Sequence, residues 1–358
     1  MKKYNFSAGP AIIPESVLEE ASASLKSYKN TGLPVAEISH RSPIFWDIIE
    51  EATQLVKDIY AINDDFDVLW LSGGASTQMT LAPMNLLNTH ESMAIVDTGF
   101  WAQKAIEAAS EITKVHILAS SKSTNYDRIP KDFHLPKDVK YLHVVSNETI
   151  DGTQHHAYPD VKIPLVADMT SDFLSRPIDL EKFGIIFASA QKNFGMAGIT
   201  CVIIRKDIAE IQTDRKIPSI FNYKTHINTK SLYHTCPTFP IYTSLLMLLW
   251  IKAQGGLEFM QKMNTQKAQL LYAEIDRNPL FEGNVVTEDR SIMNVCFRAK
   301  SEEIETQFLD FAESNDIVGI KGFPTVGGFR ASIYNGMPLE TVEFLAEALK
   351  EFTNKFQN

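Results

Sequence analysis

Lys192 and Asp168 are the residues from which chemistry can first be read. The stretch 165–195, LVADMTSDFLSRPIDLEKFGIIFASAQKNFG, reads as a strand ending at Asp168, a connection, a second strand, and then Gln191-Lys192-Asn193. A carboxylate at one strand end and a lysine after the next, 24 residues on, can meet at one sheet edge. That pairing suits pyridoxal phosphate. The lysine forms a Schiff base with the cofactor aldehyde, and the carboxylate keeps the pyridine nitrogen protonated so that the ring accepts carbanion electrons. On spacing alone, a solvated loop lysine and a capping aspartate account for the pair better.

A phosphate cup and a ring-stacking residue stand elsewhere in the chain. The apolar run 68–71 leads into Ser72-Gly73-Gly74-Ala75-Ser76-Thr77 and then a helical pattern. Glycines there let the backbone approach a phosphate, and the N–H groups of Ala75 and Ser76 fall at a helix N-terminus. Neither GxxxxGK[ST] nor GxGxxG occurs, so a nucleotide loses its best support. Trp101 follows a strand and Gly99-Phe100, where an indole can stack on a flat ring. Thr149, in VVSNETIDG, follows another strand and offers a hydroxyl to ring substituents. Taken singly, these are an ordinary strand-to-helix turn, a core tryptophan and a turn threonine. His155-His156 is flanked by acids, but adjacent histidines rarely converge on one ion, so no metal is expected. Cys236 reads as a small buried thiol.

The elements that must position these residues alternate. Strands are predicted at 67–71, 93–97, 114–118, 141–145, 165–168, 185–188 and 200–204, short and apolar on both faces as parallel strands are. A helical stripe runs over 14–28, and Ser42-Pro43 reads as N-cap and first turn of the next helix. Residues 241–251 are apolar all round, a buried helix ended by Gly255-Gly256. Beyond lies a mixed texture: a helix near 257–273, a strand at 292–297, a helix near 302–315, strands near 318–321 and 329–333, and a last helix from Pro338. The fold class is therefore α/β: a large domain (15–252) with a mainly parallel sheet covered by helices, and a smaller α+β C-terminal domain (253–358, joined by 1–14).

With 358 residues, 44% hydrophobic and 22% charged, the chain is neither disordered nor fibrous. A net charge of −10 disfavours nucleic acid and anionic lipid as partners, so an anionic ligand needs a local cluster of donors. Three scattered cysteines without a CxxC pair fit a reducing compartment. The first residues lack the apolar run of a leader, and the longest apolar run, 245–251, is too short to span a bilayer. A cytoplasmic location is the expectation.

Nine segments in register then carry a resemblance. NFSAGPA (5–11), EISHRS (37–42), SGGAS (72–76), GFW (99–101), NETIDG (147–152), ADMTSDFLSRP (167–177), AQKN (190–193), PTFPIY (237–242) and VGGFRASIYN (326–335) together resemble the phosphoserine aminotransferases, class V pyridoxal-phosphate enzymes of fold type I. The resemblance implies that Lys192 carries the cofactor, Asp168 pairs with its ring nitrogen, Trp101 stacks on the ring and Thr149 bonds the phenolic oxygen. Ala75, Ser76 and Gln191 would hold the cofactor phosphate. His234 and Thr235 would reach it from a neighbouring subunit, making a homodimer with shared active sites. Arg330 would take the substrate α-carboxylate, and His40 and Arg41 the distal anionic group. Some members carry His-Arg where this chain has Phe323-Pro324, and an arginine where it has Ser76, which implies a substrate phosphate held by fewer cations. The implied reaction is amino transfer between glutamate and 3-phosphohydroxypyruvate, giving O-phosphoserine and 2-oxoglutarate for serine biosynthesis. The family also acts on a four-carbon phosphorylated keto acid in vitamin B6 synthesis. The alternative is another class V reaction, such as that of an alanine–glyoxylate type aminotransferase.

Overall fold

The structure is a computed structural model and describes residues 3–356; residues 1–2 and 357–358, which the sequence assigns to the smaller unit, lie outside the described residues. After a two-residue strand, β1 (Tyr4–Asn5), the chain builds a seven-stranded sheet. Its members are β2 (Phe66–Leu71), β3 (Ser92–Asp97), β4 (Lys114–Ser120), β5 (Val139–Val145), β6 (Leu165–Asp168), β7 (Phe183–Ser189) and β8 (Thr200–Arg205), in the order β2-β8-β7-β6-β5-β3-β4. All seven strands read from the sequence for the large domain are present. β8 departs from the parallel expectation: it runs antiparallel between β2 and β7. The reason is connection length. Only residues 190–199 separate β7 from β8, fewer than the dozen or so a parallel crossover requires.

Helices cover both faces because every strand but the edge strand β4 is apolar on both sides. α1 (Glu15–Ser24), α2 (Pro43–Tyr60) and α8 (Thr238–Gln254) lie on the face that presents Val68, Trp70, Ala94 and Val96. α3 (Gly74–Leu86), α4 (Phe100–Ser110) and α7 (Tyr223–Asn228) lie on the face of Leu69, Leu71, Met93 and Ile95. α5 (Ala190–Asn193) and α6 (Lys206–Ala209) are single turns flanking β8. α2 starts as expected, with the Ser42 side chain accepting from Phe45 N–H and Pro43 in the first turn. The stripe 14–28 stops early, at Ser24, and Tyr28 sits in a 3₁₀ turn edge-on to Tyr242, ring centroids 5.4 Å apart.

A second core is built from β9 (Phe281–Gly283), β10 (Asn294–Ala299) and β12 (Phe329–Ser332), an antiparallel sheet in the order β12-β10-β9, packed by α10 (Glu302–Ser314) and α11 (Leu339–Phe356). Phe281, Phe297, Phe308, Phe329 and Phe352 interlock at its centre. β1 joins it by pairing in parallel with β11 (Ile317–Val318), and Phe6 is buried in it. α9 (Gly256–Arg277) runs through both cores: Leu257 and Met260 belong to the first, Ala268, Leu271 and Ile275 to the second. Among the described residues, no helix is long and apolar enough to cross a membrane.

Candidate active site

The carboxyl ends of β2, β3, β5, β6 and β7 open on a cavity of about 340 Å³, at the end of an open α/β sheet where ligands bind. Ala75, Ser76, Trp101, Thr149, Asp168, Gln191, Lys192 and Arg330 all line it. Asp168 is the last residue of β6, which pairs in parallel with β7 so that Asp168 faces Phe187. β7 ends at Ser189, and α5 then carries Lys192 over the same edge. Adjacent strands, not merely consecutive ones, bring the two residues together.

Lys192 Nζ donates to Thr149 Oγ1 at 2.5 Å and lies 5.1 Å from the centre of the Trp101 ring. Burial lowers its pKa to about 8, against the opposing charge of Asp168. Asp168 is buried, and its carboxylate accepts from Thr170 N–H at 2.9 Å. Burial raises its pKa, while the Thr170 bonds and Lys192 pull the other way. Arg330 reaches the cavity from β12, and its Nε is buried with no partner among the described residues.

The cup forms where β2 gives way to α3. Gly73 adopts a left-handed φ of 103°, and a Cβ there would fall 2.1 Å from Thr77 Oγ1. Ala75 N–H donates to Ser189 Oγ at 2.7 Å at the mouth of this helix N-terminus. A primary amine, a buried carboxylate, a hydroxyl, an indole and a glycine-shaped helix N-terminus thus share one cavity. That donor set fits pyridoxal phosphate: a charge for the ring nitrogen, an amine for the aldehyde, and backbone N–H groups for the phosphate.

Four expected residues are elsewhere. His40, Arg41, His234 and Thr235 do not line the cavity. His234 Nε2 lies 3.4 Å from Ser72 Oγ, just outside the cup. The pKa of His40 is lowered first by burial and then by Arg41 and His234, so the three side chains form one patch. His40 Nε2 and His234 Nδ1 are buried without partners, and Arg41 and Thr235 are exposed.

Sequence reasoning missed several lining residues. Ser189 closes on the cup, and Ala8 and Gly9 come from the N-terminal segment; Phe323, which the resemblance placed where some members carry a cation, also lines the cavity, its ring 5.1 Å from that of Phe100. Ala8 and Gly9 stand in the NFSAGPA segment, the only hint of them, because nothing local says that the N-terminus returns to α5. Cys236 is buried, as read.

A family model, aminotransferase class-V, matches residues 3–345. The chain belongs to this family, the class V aminotransferases. Within it the likeness is specific. A phosphoserine aminotransferase from Bacteroides fragilis is 47% identical over 354 residues, 98% of this chain and 99% of that one. The structure of the phosphoserine aminotransferase from Bacillus circulans subsp. alkalophilus matches with a TM-score of 0.96 and 42% identity, over 99% of both chains. The PLP-bound phosphoserine aminotransferase from Trichomonas vaginalis matches with a TM-score of 0.94 and 37% identity, over 98% of this chain and all of that one.

Proposed function

We propose that this chain catalyses reversible, pyridoxal-phosphate-dependent amino transfer between glutamate and 3-phosphohydroxypyruvate, yielding O-phosphoserine and 2-oxoglutarate, a step of serine biosynthesis. The phosphorylated four-carbon analogue of vitamin B6 synthesis is a second substrate of the same site. The observation that carries the reading is the single cavity in which Lys192 Nζ meets Thr149 and Trp101 beside Asp168, in a chain alike to phosphoserine aminotransferases over its whole length.

When bound, pyridoxal phosphate supplies an electron sink for the carbanion at the substrate α-carbon. Asp168 would hold the proton on the ring nitrogen, Thr149 would bond the phenolic oxygen, and Trp101 would stack on the ring. Ala75, Ser76 and Gln191 would hold the phosphate. Lys192 Nζ takes the α-proton of the substrate and would pass it to the carbon that bore the cofactor aldehyde; with its pKa lowered to about 8, about a tenth of it is unprotonated at pH 7, against well under a thousandth of an ordinary lysine. Arg330 forks the α-carboxylate, and its unpartnered Nε is a donor reserved for that purpose.

His40, Arg41, His234 and Thr235 serve the site of a second copy in a homodimer. Their separation from their own cavity and their unpartnered buried nitrogens support this. The protein works in the cytoplasm, with the chain organised as 15–252 and 1–14 plus 253–358.

The visible spectrum of the purified, cofactor-loaded protein before and after O-phosphoserine tests the reading. A yellow band that converts to the pyridoxamine form is expected. A band indifferent to O-phosphoserine but bleached by another amino acid overturns the substrate, and a protein that takes up no pyridoxal phosphate overturns the function.

A further inference from the structure

α4 carries Trp101 in its first turn, yet it is not closed by the residue that begins it. Gly99, at the N-cap, has no side chain to offer. The first four N–H groups of a helix, counted from the N-cap, have no partner within it. Here Phe100 N–H donates to Asp151 Oδ2 at 2.8 Å, Trp101 N–H to Glu148 Oε2 at 2.9 Å and Ala102 N–H to Glu148 Oε1 at 2.9 Å. Thr98 Oγ1 adds a fourth bond, to Glu148 Oε1 at 3.1 Å. All the acceptors come from the loop that also carries Thr149.

That loop is itself a closed turn. Glu148 N–H donates to Thr153 C=O and Gly152 N–H to Glu148 C=O, both at 2.8 Å. The backbone next to Thr149 and the backbone of Trp101 are therefore tied to the same side chains. The indole has no such tie of its own, because Trp101 Nε1 is buried without a partner. Its placement depends on the helix start beneath it. Gly99 is shaped for the arrangement: a Cβ there would fall 2.4 Å from Asp151 Oδ2 and 2.8 Å from Glu148 Cδ.

We infer that Glu148 and Asp151 are positioning residues, a double carboxylate clamp that sets the Trp101 ring at a fixed distance from Thr149 and so shapes the slot for the cofactor ring. The inference rests on the function proposed above. Capping alone does not explain the design. A single serine would close a helix, whereas two buried carboxylates side by side are expensive. Burial and the neighbouring Asp151 push Glu148 up and burial pushes Asp151 up, while the N–H bonds from Phe100, Trp101 and Ala102 oppose both shifts. Asp97 faces the pair from β3, itself bonded by Ser120 and Tyr126, and Lys192 faces it across the cavity. A serine cap would spare that expense but would not join the two elements that hold the ring.

The test compares the holoenzymes of wild type, E148Q, D151N and S301A. In E148Q an amide donor confronts the N–H of Trp101 or Ala102. S301A removes an ordinary cap, that of α10, far from the cavity. The clamp predicts that E148Q binds pyridoxal phosphate about tenfold more weakly, shows a diminished circular dichroism band from the bound cofactor, and loses kcat more than it raises KM. D151N moves the same readouts in the same direction by less, and decides the matter if E148Q does not fold. S301A lowers the melting temperature and moves none of them. Variants of Glu148 and Asp151 that behave like S301A, with unchanged cofactor affinity and dichroism, overturn the clamp while leaving the function intact. A wild-type protein that binds no pyridoxal phosphate overturns the function and the clamp together.

Discussion

Around the cavity, the groups assigned to proton transfer and to holding the helix under Trp101 find partners within the chain, while Arg330 Nε and Trp101 Nε1 do not. Lys192 Nζ donates to Thr149, Asp168 accepts from Thr170, and Glu148 accepts from three donors. In the patch of His40, Arg41, His234 and Thr235 the opposite holds. Two imidazole nitrogens are buried without partners, and the arginine stands exposed. Buried polar groups left unpaired cost about 1–3 kcal/mol each, so a partner from outside the chain would stabilise these two nitrogens. The difference separates chemistry that one chain completes from binding that it leaves open, for a second copy and an anion.

The comparison can be broken most sharply at Lys192. K192A should lower kcat by about 10⁴-fold or more while still taking up pyridoxal phosphate without a covalent bond, as measured by steady-state transfer from O-phosphoserine. D168N comes next, at about 10²–10³-fold in kcat, with the loss in chemistry and not in KM. R41A should instead raise KM for the phosphorylated substrate, by about tenfold. At substrate well below KM, where R41A is itself impaired about tenfold, mixing K192A subunits with R41A subunits sharpens the contrast: hybrid dimers hold one intact site each, and about a quarter of the wild-type rate should appear. No recovery on mixing would mean that the patch serves its own chain.

A gentler probe is pH. Burial depresses Lys192 from 10.5 to about 8, and the amine acts as a base only when unprotonated, so kcat should climb with pH and level off above about 8. The same depression means that the unfolded chain binds the proton more tightly. The cofactor-free protein therefore gains stability from Lys192 as pH rises between about 8 and 10.5, visible as a rising urea midpoint. The smallest effect is expected outside both regions. E282A breaks an exposed ion pair with Arg298 in the second core, and should cost under about 1 kcal/mol with the cofactor spectrum unmoved.

Much of this was legible in the sequence because it is local. Ser42-Pro43 caps α2 through bonds within four residues, and SGGAS turns a strand into a helix through its own glycines. Strand ends rich in small and polar residues mark the sheet edge on which the cavity opens. The direction of β8 was present too, in the ten residues that precede it, but apolar runs read alike in parallel and antiparallel strands. What escaped was remote: Ser189 behind the cup, and Ala8 and Gly9 from the far end of the chain. None has a spacing that announces it.

By itself, then, the sequence determined which residue types stand at strand ends, where helices begin, and that an amine and a carboxylate lie 24 positions apart. Short-range sterics and hydrogen bonds decide such matters. The tertiary structure alone decided that β6 and β7 are neighbours, so that Asp168 and Lys192 share a cavity, and that the carboxylates of Glu148 and Asp151 close a helix begun some fifty residues earlier. Strand order and contacts across the sheet follow from how the two apolar faces of every strand are buried at once, a condition on the whole chain that no short segment contains.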